Sequence, residues 1–347
     1  NPVDVIGDAR ADRYLAALEA VQADANVDQV LVILTPQSMT DIESIARGIC
    51  QVAKGATKPI TCSFMGAVDV ADGIRLLQES RIPHYMLPEW CCRAMSDVQR
   101  IRQWRQQPIE EPQALPVDAP AAHAVLDAAP PGFLTEDQGL AVLAAYGLPV
   151  PAHRLCFNAD EAVEWASQIG YPVVLRLVSP QVVHKSEVRA VALNVANADT
   201  LLSRYDQMIH SVTKAVPDAD IRGMLVRRMI PSGHEVILGA KRDPGFGPTL
   251  MFGMGGIYVE YFKDVTFALA PLDRFTASRM VRQIRAYPLL NGARGGHKAD
   301  VDAIAQCLIR LGQLVHDFPR IMELDVNPLI AGSSGTVVAD VRIRLGP

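Results

Sequence analysis

The sequence predicts an α/β protein in which a module built on a parallel sheet is followed by a unit rich in antiparallel strands. Three observations carry this. Over residues 1–106 short apolar runs alternate with stretches at helical spacing; residues 107–132 contain Pro108, Pro112, Pro116, Pro120, Pro130 and Pro131; and from Glu235 onward apolar runs follow one another with only tight turns between them. Continuous apolar strands between helices mean a parallel sheet covered on both faces. Strand, turn and strand in succession mean an antiparallel meander.

In order along the first module, the pattern predicts a helix over 11–23, a strand over 30–34, a helix over 41–53 and a strand over 59–64. A helix over 69–80, a strand over 84–87 and a helix over 89–105 complete it. Ligands collect beyond the carboxyl ends of such strands, here near Thr35-Pro36-Gln37 and Met65-Gly66, although these are equally read as plain loop ends. The proline-rich stretch 107–132 favours an extended, semi-rigid linker. A helix then starts with Thr135 as N-cap and Asp137 in its first turn, and ends at Tyr146-Gly147, where glycine accepts a left-handed cap. A further helix is expected over 160–170, then a buried strand, Tyr171-Pro-Val-Val-Leu-Arg176-Leu-Val-Ser-Pro180, leading into His184-Lys185-Ser186-Glu187. Residues 235–271 read as a three-stranded meander with a glycine turn at Gly253-Met254-Gly255-Gly256.

Composition excludes several function classes. With 347 residues and 49% hydrophobic composition, the chain has room for two or three sizeable cores. A net charge of −5 with both signs interspersed argues against a nucleic-acid partner, which usually demands a basic face. Cys50, Cys62, Cys91, Cys92, Cys156 and Cys307 form no CxxC pair, so neither a zinc site nor a disulfide framework is indicated and a cytoplasmic location is expected. No apolar run approaches the roughly 20 residues that span a bilayer, and no membrane role is expected. The opening Asn1-Pro2-Val3-Asp4 lacks an initiator Met and reads as the start of a fragment.

The residues that carry chemistry lie at strand ends. Glu323-Leu-Asp-Val-Asn327-Pro-Leu-Ile330 and Thr336-Val-Val-Ala-Asp340 read as two strands of a hairpin that sets Asn327 beside Asp340. An amide oxygen and a carboxylate are hard ligands, of the kind that hold Mg²⁺ while phosphates and water complete its octahedron; a polar pair meeting water is the bland alternative. Arg176 is a cation in an apolar strand, costly to bury unless paired or snorkelling. His184 sits in a polar loop, where a neutral imidazole is a competent phosphoryl acceptor, or a surface histidine. Glu235 heads a strand and is either a ligand contact or a charge-paired terminus. His84 reads as a satisfied core residue, and Arg294 with Gly295-Gly296-His297-Lys298 as a polar loop without an assigned role.

In this order the segments resemble the ATP-grasp domain of NDP-forming acyl-CoA synthetases, relatives of the succinyl-CoA ligase β subunit, over nearly the whole chain. The resemblance implies a flavodoxin-like CoA-ligase module at 1–106. It also implies an ATP-grasp domain of two α+β lobes at 133–347, with the small lobe at about 160–230 and the large lobe at about 231–347. It implies ATP or ADP as nucleotide, Mg²⁺ held by Asn327 and Asp340, and Arg176 in the place of a phosphate-binding lysine. Backbone at Arg228, Met229 and Ile230 would meet adenine, Glu235 the ribose, and Gly255, Gly256, Glu260, Lys263 and Asp264 would belong to a segment over the cleft. His184 would relay a phosphoryl group between ADP and a phosphohistidine loop. The partners implied are a small carboxylic acid and the CoA-binding and phosphohistidine modules, assembled as an oligomer. Arg189-Ala190 depart from the family's two glycines, which leaves a second implied class open: the non-catalytic, ligand-sensing region of some protein lysine acetyltransferases.

Overall fold

The computed structural model describes residues 2–66, 69–108, 110–182, 190–256 and 262–347. They form two compact units, 1–108 and 109–347.

The first unit contains α1 (Ala11–Ala23), β1 (Val30–Leu34), α2 (Ile42–Ala53), β2 (Ile60–Phe64), α3 (Ala71–Glu79) and α4 (Pro88–Arg105). Strands β1 and β2 pair in parallel, from Val30 opposite Ile60 to Leu34 opposite Phe64. Leu34, Ile45, Phe64 and Leu77 form the centre of its core. The strand expected over 84–87 is reduced to a single parallel bridge between Cys62 and His84. Proline explains the truncation: Pro83 has no N–H for a ladder, and Pro88 begins α4, leaving too few residues between them.

In the second unit, α5 (Ala119–Ala128) occupies part of the stretch expected to be extended linker. Asp118 caps it by accepting from the Ala121 amide at 3.1 Å, and Pro120 falls in the first turn, where a missing N–H costs nothing. Ala122 and Leu126 are buried in the unit's core. Then come β3 (Gly132–Phe133) and α6 (Glu136–Ala145), whose end is set by Gly147 at φ +71°.

The small-lobe sheet has β4 (His153–Cys156), β5 (Val173–Val178), β6 (Val191–Val195) and β7 (Gly223–Arg228) in the antiparallel order β4-β7-β5-β6. Helices α7 (Ala159–Ile169) and α8 (Ala198–Ala215) close its core of Val173, Leu175, Leu177, Met208, Met224 and Val226. This lobe therefore starts at His153, a few residues earlier than the sequence implied.

The large-lobe sheet contains β8 (His234–Asp243), β9 (Gly247–Met254), β10 (Val265–Leu269), β11 (Ile321–Gly332), β12 (Gly335–Val338) and β13 (Val341–Leu345). Its order is β10-β9-β8-β11-β13-β3, with β12 on β11, and β8-β9-β10 is the meander read from the sequence. Helices α9 (Arg274–Gln283), α10 (Tyr287–Leu290) and α11 (Val301–Asp317) follow the meander. On α11, Ile304, Leu308, Leu311 and Val315 recur at helical spacing and are buried with Leu238, Phe252 and Leu324 of the sheet. Leu140, Leu143 and Tyr146 of α6 share this core. Although α6 precedes the small lobe in sequence, it belongs to the large one. Among the described residues no helix is long and apolar enough to cross a membrane.

Candidate functional site

Proline creates the site. Strand β11 pairs with β13 as far as Val326 opposite Val341, and with β12 from Leu329 opposite Val338, leaving Asn327-Pro328 across from Ala339-Asp340. Pro328 has no N–H to donate, so the regular ladder breaks there. In its place the Asn327 amide donates to the Asp340 carbonyl at 3.1 Å, and the Ala339 amide donates to the Pro328 carbonyl at 2.9 Å. The juxtaposition of Asn327 and Asp340 read from the sequence is thus present in the fold. Asp340 Oδ1 accepts from the Val341 amide at 2.9 Å.

Asp340 Oδ2 accepts from Arg176 Nη2 at 2.9 Å, across the seam between the lobes. The guanidinium is a three-way fork: Nε lies 3.0 Å from Glu136 Oε2, and Nη1 donates to the Ala339 carbonyl at 3.4 Å. Arg227 on the adjoining strand β7 places Nη1 3.6 Å from Glu136 Oε1 and also donates to the Ala339 carbonyl. Side-chain exposure is 10% for Arg176, 6% for Arg227 and 2% for Glu136, so two cations and one carboxylate meet almost out of water, and the partly exposed Asp340 balances the remaining charge. Burial holds the Arg227 guanidinium below its usual range, the charge of Arg176 adds to this, and Glu136 and Asp340 oppose it. Of the two sequence alternatives for Arg176, the salt bridge is the one seen. Glu136 and Arg227 escaped the sequence reading; the available signal was an arginine directly following the apolar run Met224–Val226.

Glu235, Gly255 and Gly256 come together at the end of β9. The Gly255 amide donates to the Glu235 carbonyl at 2.8 Å. A Cβ at 255 would lie 3.1 Å from the backbone carbon and oxygen of Glu235, and one at Gly256, where φ is +61°, would lie 3.8 Å from Glu235 Oε2. Glu235 pairs with Ile330 on β11, the strand that carries Asn327. In the segment between the lobes, the amides of Arg228 and Met229 donate to the carbonyls of Ala152 (3.0 Å) and Pro172 (3.2 Å). Ile230 lines a cavity of about 570 Å³ with Gly233, His234, Ile330, Ala331 and the β11–β12 turn.

Asp325, two residues before Asn327, was also missed, although an alternating Asp-x-Asn on one strand was there to be read. Burial pushes its carboxyl above the usual range, the nearby Asp340 adds to this, and Arg342 opposes it. The Asp264 oxygens accept the amides of Arg285 and Ala286, each at 2.8 Å. His184, Lys185, Arg189 and Glu260 lie outside the described residues. Among the described residues no cluster of three or more His, Cys, Asp or Glu is disposed to bind a metal, so the candidate donor set is the Asn327–Asp340 pair.

Two α+β lobes meeting at a charged seam are the architecture of the ATP-grasp class, and residues 126–345 match the ATP-grasp domain family. The chain is 42% identical over 349 residues to the ADP-forming acetate–CoA ligase I of Archaeoglobus fulgidus, covering 100% of this chain and 50% of that protein. It is 36% identical over 351 residues to the ADP-forming 4-hydroxybutyrate–CoA ligase of Nitrosopumilus maritimus, covering 99% and 50%. To the β subunit of the ADP-forming acetate–CoA ligase I of Pyrococcus furiosus it is 41% identical over 212 residues, 61% of this chain and 91% of that subunit. The chain belongs to the ADP-forming acyl-CoA synthetase family and spans about half the length of the first two relatives. A solved structure of acetyl-coenzyme A synthetase 1 from Ca. Korarchaeum cryptofilum, in complex with coenzyme A and Ca-AMPCP, matches with a TM-score of 0.61 and 44% identity over 62% of this chain and 94% of that one. Another form of that enzyme, with coenzyme A and Mg-AMPPCP, matches with a TM-score of 0.58 and 39% identity over 65% and 100%.

Proposed function

We propose that this chain is the nucleotide-binding part of an NDP-forming acyl-CoA synthetase, which joins a carboxylic acid to CoA at the expense of NTP and releases NDP and phosphate. The observation that carries the reading is the pairing of Asn327 with Asp340 at the Pro328 break, on the same sheet as Glu235 and the Gly255-Gly256 turn. The donor set fits Mg²⁺: both groups offer hard oxygens, and the Asp340 side chain keeps 27% exposure, so it remains reachable. Asn327 and Asp340 would hold Mg²⁺, which would supply positive charge to offset that of the nucleotide phosphates.

The protein's own residues do the rest. Glu235 accepts a ribose hydroxyl, while Gly255 and Gly256 let the backbone lie close to the nucleotide. With the Arg228 and Met229 amides already committed, the adenine edge meets the Ile230 amide and the carbonyls of residues 228–230. Arg176 contributes a planar fork where its relatives use a point charge, shared between Asp340 and the incoming phosphates. His184 takes the phosphoryl group: a ring nitrogen bonds to phosphorus as the bond to the departing ADP oxygen breaks. The CoA-binding and phosphohistidine modules complete the enzyme, in one polypeptide or as a second subunit, in an oligomer located in the cytoplasm.

Titration calorimetry with ADP or ATP, with and without Mg²⁺, tests the assignment. Metal-enhanced binding is expected, and its absence at millimolar nucleotide overturns it.

A further inference from the structure

Glu136 lies at the start of α6, on the large-lobe core, and neither the nucleotide nor the metal reading uses it. Its carboxylate is 2% exposed and faces Arg176 and Arg227, which come from neighbouring strands of the other lobe. We propose that Glu136 is a positioning residue for Asp340, acting through Arg176. The proposal rests on the reading of Asp340 as a metal ligand.

The geometry argues for transmission. Glu136 Oε2 forms an ion pair with the Nε edge of Arg176 at 3.0 Å, and because the guanidinium is planar and rigid, holding that edge by charge biases where Nη2 points. Nη2 holds Asp340 Oδ2, while Oδ1 is held by the Val341 amide. The two bonds together set the rotation of the carboxylate beside Asn327. Without the charge of Glu136, two nearly buried guanidinium groups would face Asp340 as their remaining carboxylate. Arg227 and Arg176 would then rearrange around it or turn toward water, and in either case the orientation of Asp340 is lost. Partners of metal-ligating carboxylates act in this way, and removing one commonly weakens metal affinity by about 10–100-fold.

The test uses Glu136→Gln, which keeps shape and removes charge, and Arg176→Lys, which keeps charge and removes the fork. In calorimetry, both variants should lose about tenfold or more of the Mg²⁺-dependent enhancement of ADP binding, and Glu136→Gln, which touches no ligand, should change metal-free ADP affinity by less than about twofold. Glu136→Asp should restore part of the enhancement. A second readout needs no nucleotide: melting temperatures of Glu136→Gln, Asp340→Asn and the double variant. Glu136 and Asp340 are linked through Arg176, so the double variant should lose less than the sum of the singles. Wild-type Mg²⁺ enhancement in Glu136→Gln together with a lowered melting temperature would show a purely structural residue and overturn the proposal. If wild-type protein shows no Mg²⁺-dependent binding, the functional reading itself fails; additive melting shifts would then reject the coupling on their own.

Discussion

Asn327 and Asp340 are joined through the backbone: the Asn327 amide donates to the Asp340 carbonyl at 3.1 Å, where Pro328 breaks the β11 ladder. The positions of the two Cα atoms are therefore set by the sheet, and the direction of the Asp340 carboxylate by Val341 and Arg176. Shape and charge at position 340 should separate cleanly. Asp340→Asn retains oxygen and hydrogen-bonding capacity, so its melting temperature should stay within a few degrees of wild type while the Mg²⁺ enhancement of nucleotide binding disappears. Asp340→Ala abandons the Arg176 fork at a site 27% exposed, and should cost about 2 kcal/mol of stability in denaturant titration. Equal stability of the two variants would mean that the hydrogen bonds made by the side chain at 340 contribute nothing to the fold.

Gly255 has a specific steric role. A methyl group there would press at 3.1 Å on the Glu235 backbone, which cannot yield without shifting the carboxylate assigned to the ribose. Gly255→Ala should weaken ADP binding about tenfold, with and without metal alike, because it disturbs the nucleoside end of the site. Loss confined to the metal-dependent part would place Glu235 elsewhere in the mechanism.

Asp325 predicts a pH dependence whose sign follows from burial. Its folded carboxyl titrates above the ordinary value, so the folded state holds the proton more tightly than the unfolded chain. Protonation then favours folding, and the Asp325 contribution to stability falls as pH rises from the ordinary carboxylate range through the raised folded value. Asp325→Asn removes that fall. The variant should gain in melting temperature relative to wild type on going from pH 4 to pH 7, and a difference independent of pH would refute the assignment.

Local pattern made most strands legible. The meander, the Asn327–Asp340 approach and the Gly147 cap were all visible, because apolar runs, Asn-Pro and a terminal Gly state their geometry within a few residues. The helix over 119–128 was hidden by its proline: Pro120 sits at a helix start, where proline is at home, yet composition counted it toward a linker. The Glu136–Arg176–Arg227 cluster was invisible for another reason. It joins α6, β5 and β7, and no local spacing records which buried charges meet across two lobes.

The departure from glycine at Ala190 has a packing explanation. Its side chain is fully buried in the small-lobe core, its carbonyl accepts from the Leu177 amide at 3.0 Å, and its φ is not positive. Glycine there would remove a packed methyl group and free the backbone, at about 1 kcal/mol or somewhat more. Ala190→Gly should therefore lower the melting temperature without raising turnover in the full-length enzyme. Faster turnover at unchanged stability would show instead that backbone freedom at position 190 limits the rate.

The last prediction concerns His184, assigned to phosphoryl relay. A phosphorylated imidazole is labile in acid and stable in base, so full-length protein incubated with γ-labelled ATP should carry label with that behaviour. Part of the label should disappear in His184→Ala. Because the ring serves transfer and contributes little to ground-state binding, kcat should fall by at least about a hundredfold while KM for nucleotide changes by less than about threefold. Calorimetric affinity for Mg·ADP should match wild type in the same variant, separating a failed transfer from a damaged site. If the variant loses nucleotide affinity in proportion to turnover, the residue binds phosphate without accepting it. If it turns over at the wild-type rate, the phosphoryl group bypasses position 184 altogether.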